Sequence, residues 1–178
     1  MNPKNEREPN PKIEAFIDRL AKLDPGSKAR LKRSAGQPLR EAHHCTGLFY
    51  RLLPYGIPLW QEETYFLVAT LYPLADAAKE GDLGVSLQRA RQTSNSKGMD
   101  RRVEILLDAD ANQLPFRLRQ AIRYLKANEV RVNWQSLLED LLDWSKPGRR
   151  VQQRWARTYF ADVKPDVLTT EPNSQSDH

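Results

Sequence analysis

Apolar side chains recur at helical spacing along nearly the whole chain between residues 11 and 163. The first such segment carries on one face Ile13, Phe16, Ile17 and Leu20. A β-strand would need apolar and polar residues in alternation, and only residues 130–133 come near this pattern, in a segment too short to count. The periodicity therefore predicts an all-α protein, a helical bundle.

Capping residues, prolines and glycines divide this pattern into separate helices. Asp24 and Pro25 form an N-cap followed by a first-turn proline, and Gly36 ends the helix that they begin. Pro58 opens the most apolar helix, which Pro73 is expected to kink or break. Helices are predicted over about 11–23, 25–34, 38–53, 58–73, 86–92, 99–109, 114–128, 133–144 and 147–163.

The segment Thr93–Gly98 is the best candidate for a linker, because it combines Ser, Asn and Gly. It predicts two small helical subdomains, residues 11–93 and 99–163, with disordered polar tails at residues 1–10 and 164–178. A single continuous bundle is the alternative, since loop lengths alone do not decide between the two arrangements.

Some protein classes are excluded by the cysteine count and by the apolar runs. Cys45 is the one cysteine, so no disulfide can form within the chain. The start of the chain is polar and charged, unlike a signal peptide. The longest apolar run, Tyr65–Ala75, is shorter than the roughly 20 residues that a membrane span needs. A cytoplasmic protein without membrane contact is predicted.

Positive charge is concentrated in the second half of the chain. Residues 84–164 hold 16 Lys and Arg against 9 Asp and Glu, whereas residues 165–178 hold 3 acids and no bases. In the helix predicted over 114–128, one ridge at i, i+4 and i+7 consists of Arg119, Arg123 and Lys126. For one helix alone, such a ridge is more often a solvated face than a binding site.

The last predicted helix repeats the arrangement with Arg150, Arg154 and Arg157. Lys146 and Arg149 crowd its start together with Arg150. A cation at a helix N-terminus is unfavourable by roughly 0.3–1 kcal/mol. Several cations there make more sense if a phosphate binds to the outward-pointing N–H groups.

Two more basic clusters favour a nucleic-acid surface over a set of unrelated solvated faces. Arg101 and Arg102 begin a helix, where Asp100 is expected to cap and partly neutralise them. The other cluster consists of Lys28, Arg30, Lys32 and Arg33. The sequence has no helix-turn-helix signature, zinc spacing or aromatic strand motif, which favours backbone contact that ignores base sequence.

Other residue groups could suggest chemistry but have simpler interpretations. His43, His44 and Cys45 lack the partners that a metal site or a nucleophilic pair requires. The acids of two segments are expected to cap a helix end or line a solvated face: Asp108, Asp110, Glu139, Asp140 and Asp143. Two tryptophans are expected in the core rather than as base-stacking platforms: Trp134 and Trp144. No catalytic residue, metal site or cofactor is predicted.

Several segments, in this order, resemble the small subunit of the type I-E CRISPR surveillance complex Cascade, the CasB family. The most specific is Gly84-Val85-Ser86-Leu87-x-Arg89-Ala90. The others are Lys32-Arg33, Phe49-Tyr50-Arg51-Leu52 with Pro54 and Gly56, Arg101-Arg102 with Ala109-Asp110, Leu118-Arg119, Asp143-Trp144, the basic turn 146–150 and Gln152-Gln153. The similarity covers roughly residues 13–160.

The resemblance implies a non-catalytic, all-α subunit in two helical parts, present as two copies in the complex. Its implied partners are the backbone filament, the large subunit, CRISPR RNA, the target DNA and the displaced single strand. The function implied is sequence-independent binding that stabilises both DNA strands of the R-loop during antiviral defence.

The resemblance implies nucleic-acid contacts at Lys32, Arg33, Arg101, Arg102, Arg119, Lys146, Arg149 and Arg150. Helical geometry adds Arg123, Arg154 and Arg157. The basic turn, Lys146-Pro147-Gly148-Arg149-Arg150, is two residues longer than the family pattern. The alternative function is an assembly subunit that contacts protein partners and binds little nucleic acid itself. A hydrolase built on residues 43–45 is the third hypothesis.

Overall fold

The computed structural model describes residues 8–93 and 97–161. Residues 1–7 of the predicted N-terminal tail, the predicted C-terminal tail and the centre of the linker lie outside these ranges. Within them the secondary structure is helical, which confirms the all-α prediction. The α-helices are α1 (Pro11–Ala21), α2 (Pro25–Arg33), α3 (Thr46–Leu52), α4 (Leu59–Leu71), α5 (Leu83–Thr93), α6 (Lys97–Leu107), α7 (Leu114–Ala127), α8 (Trp134–Leu142) and α9 (Arg150–Tyr159). Two 3-10 helices occupy Leu39–Glu41 and Tyr72–Leu74.

Side chains at the N-termini explain where several helices begin. Asp24 accepts a hydrogen bond from Ser27 N at 2.9 Å, and Pro25 occupies the first turn of α2, as predicted. Asn133 accepts one from Ser136 N at 3.1 Å and caps α8. Helix α4 ends at Leu71, just before Pro73, which confirms the predicted break.

The prediction of one continuous helix over residues 38–53 is wrong. A short 3-10 turn comes first, and α3 begins only at Thr46. Between them His44 has a φ of 70°, a left-handed value that interrupts a right-handed helix. Arg30 of α2 donates from Nε to the His44 carbonyl oxygen at 3.1 Å, so a tertiary contact holds the break in place.

The predicted starts of two other helices are also wrong. Helix α9 begins at Arg150 rather than at Pro147, because Gly148 and Arg149 have φ values of 89° and 49° and form a left-handed turn. Helix α5 begins earlier than predicted, at Leu83. Its first turn is capped by Asp82, whose carboxylate accepts from Val85 N at 3.0 Å.

Helices from both predicted subdomains pack together around one cluster of buried side chains. Helix α5 packs against α9, and α8 packs against both α1 and α4. The tryptophans expected in the core are buried, with exposed fractions of 1% for Trp134 and 4% for Trp144. The division into two subdomains stays a prediction.

A short backbone pairing joins the segment after α4 to the segment before α8. Ala78 N donates to the Val132 carbonyl at 2.8 Å, and Val132 N donates to the Asp76 carbonyl at 2.9 Å. This single parallel bridge is what residues 130–133 form in place of a strand. None of the helices in the described ranges has the length and apolar character that crossing a bilayer requires.

Candidate nucleic-acid interface

The turn that follows α2 lies against the first turns of α7. A β-carbon placed on Gly36, just beyond α2, would be 3.4 Å from Arg119 Cδ and 3.5 Å from the Pro115 carbonyl oxygen. Lys32 and Arg33 are exposed in that last turn of α2. The contact at Gly36 therefore brings two cation clusters that are far apart in sequence toward each other, and we call this region the α2–α7 junction.

The outer face of α7 extends this junction. Arg123 is exposed one turn beyond Arg119, as the i, i+4 spacing predicts. Phe116 is 54% exposed on the same face, and the guanidinium of Arg117 lies 5.3 Å from the centre of its ring. Lys126, the third member of the predicted ridge, is paired with Asp76 at 2.9 Å instead of being open to a ligand.

Arg101 and Arg102 are both exposed in the first turns of α6. The expectation that Asp100 caps this helix and neutralises them is wrong. The Asp100 carboxylate is 3.1 Å from Arg91 Nε and accepts from the Tyr159 hydroxyl at 2.8 Å. These contacts join α5, α6 and α9, and they leave the two arginines with no ion pair among the described residues.

The basic turn between α8 and α9 is attached to the end of α6. Arg149 donates to the Leu107 carbonyl at 2.7 Å and to the Asp108 carboxylate at 3.0 Å. Lys146 pairs with Asp143 at 2.6 Å. Both cations remain more than half exposed, with side-chain exposed fractions of 57% and 68%. The turn therefore places partly neutralised cations about 9–10 Å along α6 from its two exposed arginines.

The three predicted contacts on helix α9 differ in exposure and in their partners. Arg150 and Arg157 are exposed and lie two turns apart on its outward face. Arg154 instead pairs with Asp82 at 3.0 Å and with the buried Asp140. Burial alone would lower the pKa of Arg154, but the hydrogen bonds to both carboxylates and their charges raise it above the ordinary value. Arg154 thus holds α9 to α5 and α8.

Eight of the predicted contacts form no ion pair with another described residue, and we call them the unpaired cations. They are Lys32, Arg33, Arg101, Arg102, Arg119, Arg123, Arg150 and Arg157. Sequence reasoning did not select Arg117 as a contact. Arg117 comes two residues before Arg119 but lies on the side of α7 that faces α6. The sequence spacing could have shown this, because two residues of separation turn a helix by about 200° and so place Arg117 and Arg119 on nearly opposite faces.

An exposed aromatic patch is the other feature that the sequence did not predict. It consists of Tyr50, Tyr55, Leu59 and Trp60, with exposed fractions of 46%, 99%, 81% and 74%. The patch lies around the loop between α3 and α4, where the sequence shows only a turn between two prolines. The Tyr50 hydroxyl donates to the Glu62 carboxylate at 2.7 Å, which orients its ring.

The residues considered for chemistry do not assemble into a site. His43 and His44 are exposed, with ring centres 6.4 Å apart, while Cys45 is buried 3.5 Å from the Ser34 hydroxyl. Asp110 accepts from the backbone N–H groups of residues 112 and 113 at 2.9 Å and caps the turn before α7. In the part of the chain that the structure describes, no three His, Cys, Asp or Glu side chains are placed to hold a metal ion.

Known proteins share this arrangement of helices. A CRISPR-associated protein Cse2 from Thermus thermophilus is 34% identical over 162 residues, which cover 83% of this chain and 89% of the relative. A crystal structure of a Cse2-family protein from Thermus thermophilus matches with a TM-score of 0.74 at 32% identity, over 84% of this chain and 98% of that one.

A chain in the structure of E. coli Cascade bound to a PAM-containing dsDNA target has the same fold, with a TM-score of 0.60 at 22% identity. The match covers 82% of this chain and 92% of that one. Residues 27–160, a range that includes all the unpaired cations, match the family described as CRISPR-associated protein Cse2. The resemblance to the CasB family is thereby confirmed, and the chain belongs to the Cse2 family of CRISPR-associated proteins.

Proposed function

We propose that this chain is a non-catalytic subunit of a Cascade complex that binds nucleic acid without sequence specificity and stabilises the target and displaced strands of the R-loop. The observation that carries the proposal is the set of unpaired cations, which lie on α2, α6, α7 and α9 without carboxylate partners among the described residues. Seven of these cations are exposed and therefore available to phosphates, while Arg119 is half-buried.

Arginine suits this task because its planar guanidinium contacts a phosphate through two hydrogen bonds and also stacks on bases. At the α2–α7 junction, Phe116 provides an exposed ring next to the cations, an arrangement typical of single-strand binding. Exchange of a DNA duplex for an RNA–DNA heteroduplex is nearly balanced in free energy. A few backbone contacts from a protein surface can therefore shift it toward the open R-loop.

The first prediction concerns charge reversal at the α2–α7 junction. We expect the double variant Lys32→Glu with Arg33→Glu to bind labelled single-stranded DNA at least tenfold more weakly than the natural chain. The slope of log K against log salt should fall by about 1.4, since each lost phosphate contact contributes about 0.7 for single strands. Fluorescence anisotropy over a salt series measures both quantities.

The matched control is Lys22→Glu with Lys79→Glu, which makes the same change in net charge at two exposed lysines outside the predicted contacts. It should retain most of the salt slope, and circular dichroism should show both variants folded. Equal losses in the two variants would mean that only total charge matters, and would contradict the proposed surface.

A second candidate function, assembly through protein contacts, is favoured by the aromatic patch. Tyr and Trp are enriched among the residues that contribute most to protein interfaces. This patch exposes both of them beside Leu59, with Tyr50 held by Glu62. In this case the partners are the Cascade backbone filament, its large subunit or a second copy of the chain.

The second prediction separates assembly from nucleic-acid binding. We expect Tyr55→Ser with Trp60→Ser to keep the DNA affinity of the natural chain but to lose at least tenfold in co-purification with the other Cascade subunits. The free energy of unfolding should change by no more than about 0.5 kcal/mol, because both side chains are exposed. Phe160→Ser, which alters another partly exposed ring, is the control and should co-purify normally. Normal co-purification of the double variant would exclude the patch as an assembly surface.

A further inference from the structure

An exposed ring, that of Phe116, stands among polar and charged side chains at the start of α7. Phe116 is 54% exposed. The positions that share its face of the helix follow three, four and seven residues later, and they are Arg119, Gln120 and Arg123. The aromatic patch is different, because there exposed aromatic and apolar residues lie together. The surroundings of Phe116 therefore favour a ligand that has both a flat apolar face and negative charge.

The ring is restrained before any ligand binds. The guanidinium of Arg117 lies 5.3 Å from the centre of the Phe116 ring, within the range of a cation–π contact. Arg117 is itself half-buried between α6 and α7, and its Nε is buried. A ring that is already restrained loses less conformational entropy when a ligand covers it, which favours binding.

A nucleobase has the chemistry that these surroundings require. Its flat faces stack on aromatic rings, and the phosphates on either side of it carry negative charge. Residues that anchor protein interfaces lie instead in well-packed, fully desolvated pockets. Two arginines and a glutamine on the same face of α7 would have to lose their hydration in such a pocket, which opposes a protein contact centred on Phe116.

The geometry of α7 suits an unpaired strand better than a duplex. In a duplex each base lies between stacked neighbours, and it must leave the stack before another ring can cover its face. An unpaired strand presents its base faces without that cost. Arg123 lies about 10 Å beyond Phe116 along the axis of α7, the length of about three stacked nucleotides at about 3.4 Å each. One strand is thus long enough to place a base on the ring and a phosphate at Arg123.

We propose that Phe116 is a stacking platform for one unpaired nucleobase, with Arg119 and Arg123 at the phosphates that follow it, so that the α2–α7 junction takes a single strand in preference to a duplex. This inference rests on the proposed function and narrows it. In an R-loop the target strand is paired with RNA, whereas the displaced strand is unpaired. The strand at this junction is therefore the displaced one.

The test is the substitution Phe116→Leu in the full chain, which keeps an apolar side chain and removes the ring. We expect at least fivefold weaker binding of labelled single-stranded DNA, because base stacking is lost. Affinity for a duplex of the same sequence should change by less than twofold. The slope of log K against log salt should stay the same, since no phosphate contact is removed. Fluorescence anisotropy measures all three quantities.

The matched control is Tyr55→Leu, which removes a ring that is 99% exposed but belongs to the aromatic patch. It should bind single-stranded DNA as the natural chain does. Phe116→Tyr keeps a ring at the site and should retain the affinity within twofold. A strand of abasic nucleotides has phosphates but no bases, so the natural chain and Phe116→Leu should bind it equally. Circular dichroism should show every variant folded.

Crosslinking locates the base directly. Single-stranded DNA that contains 5-iodouracil should form a photocrosslink within the tryptic peptide of residues 103–117, which includes Phe116. The yield should fall at least fivefold in Phe116→Leu and remain in Phe116→Tyr. A crosslink of equal yield in the natural chain and Phe116→Leu would overturn the platform.

The affinities separate this inference from the function on which it rests. Salt-dependent binding of single strands that is equally strong in the natural chain and Phe116→Leu would overturn the platform and leave the proposed function standing. The same result together with weaker co-purification of Phe116→Leu with Cascade subunits would assign the ring to a protein contact instead. Equal losses for single strands and duplex would overturn the preference for an unpaired strand. Absence of DNA binding by the natural chain would overturn both proposals.

Discussion

Replacing Asp140 with alanine is expected to lower the free energy of unfolding by about 3–5 kcal/mol. Asp140 is fully buried, accepts a hydrogen bond from Trp155 Nε1 at 2.8 Å and pairs with Arg154. Its removal would leave a half-buried guanidinium with Asp82 as its remaining carboxylate partner and a buried indole N–H without this acceptor. Urea unfolding at constant m-value measures the loss.

The control for Asp140→Ala is Asp76→Ala, which breaks the exposed pair with Lys126. The Lys126 ammonium, through its hydrogen bond and its charge, lowers the pKa of Asp76. An exposed pair of this kind nevertheless contributes only about 0–1 kcal/mol. Similar decreases in the free energy of unfolding of the two variants would show that the contacts of Asp140 do not hold α9 in place. Asp140→Leu combined with Arg154→Met should recover part of the stability, because the buried carboxylate and the guanidinium that pairs with it are removed together, while Asp82 still loses its Arg154 partner and Trp155 Nε1 its acceptor.

Gly84→Ala is the second large effect, with an expected loss of about 1–3 kcal/mol from overpacking. A β-carbon on Gly84 would lie 2.8 Å from Trp155 Cα and 2.9 Å from the Trp155 carbonyl oxygen. Both atoms belong to the backbone of α9, so no side-chain rotation can relieve the clash. Helices α5 and α9 would have to move apart, and thermal or urea unfolding reports the cost.

Gly98→Ala is the matched control, since nothing lies within 4 Å of a β-carbon at Gly98 in the first turn of α6. Alanine there should stabilise the protein by about 0.4–1 kcal/mol, because it restricts the unfolded chain. The two substitutions are chemically identical and are expected to differ in sign. A Gly84→Ala variant as stable as Gly98→Ala would mean that the α5–α9 contact is not as close as described.

The Gly84 block shows what the sequence could and could not supply. Its residues were the most specific part of the family resemblance, but no pattern along the chain explained them. In the structure, Gly84 lies against the backbone of α9, and Ser86 bonds to the segment that precedes α8. Ser86 donates to the Arg131 carbonyl at 3.0 Å, 45 residues away. Such partners cannot be found from local spacing.

Local signals predicted helix positions well and side-chain partners poorly. The caps at Asp24 and Asn133 bind backbone N–H groups three residues away. The local sequence is therefore sufficient to predict where these helices begin. The break at His44 depends on Arg30 of another helix, which periodicity cannot reveal. Arg154 has the predicted helical spacing, yet its partner Asp82 lies 72 residues earlier. Exposure of a cation is therefore a tertiary property.

The packing of α1 against α8 also affects how the protein is made. Roughly 110 residues separate these two helices. A ribosome adds about 5–20 residues per second, so α8 follows α1 by roughly 6–22 s. During this interval the face of α1 that carries Phe16 and Leu20, both fully buried in the finished fold, lacks one of its packing partners. This helical protein thus completes its core only late in its synthesis.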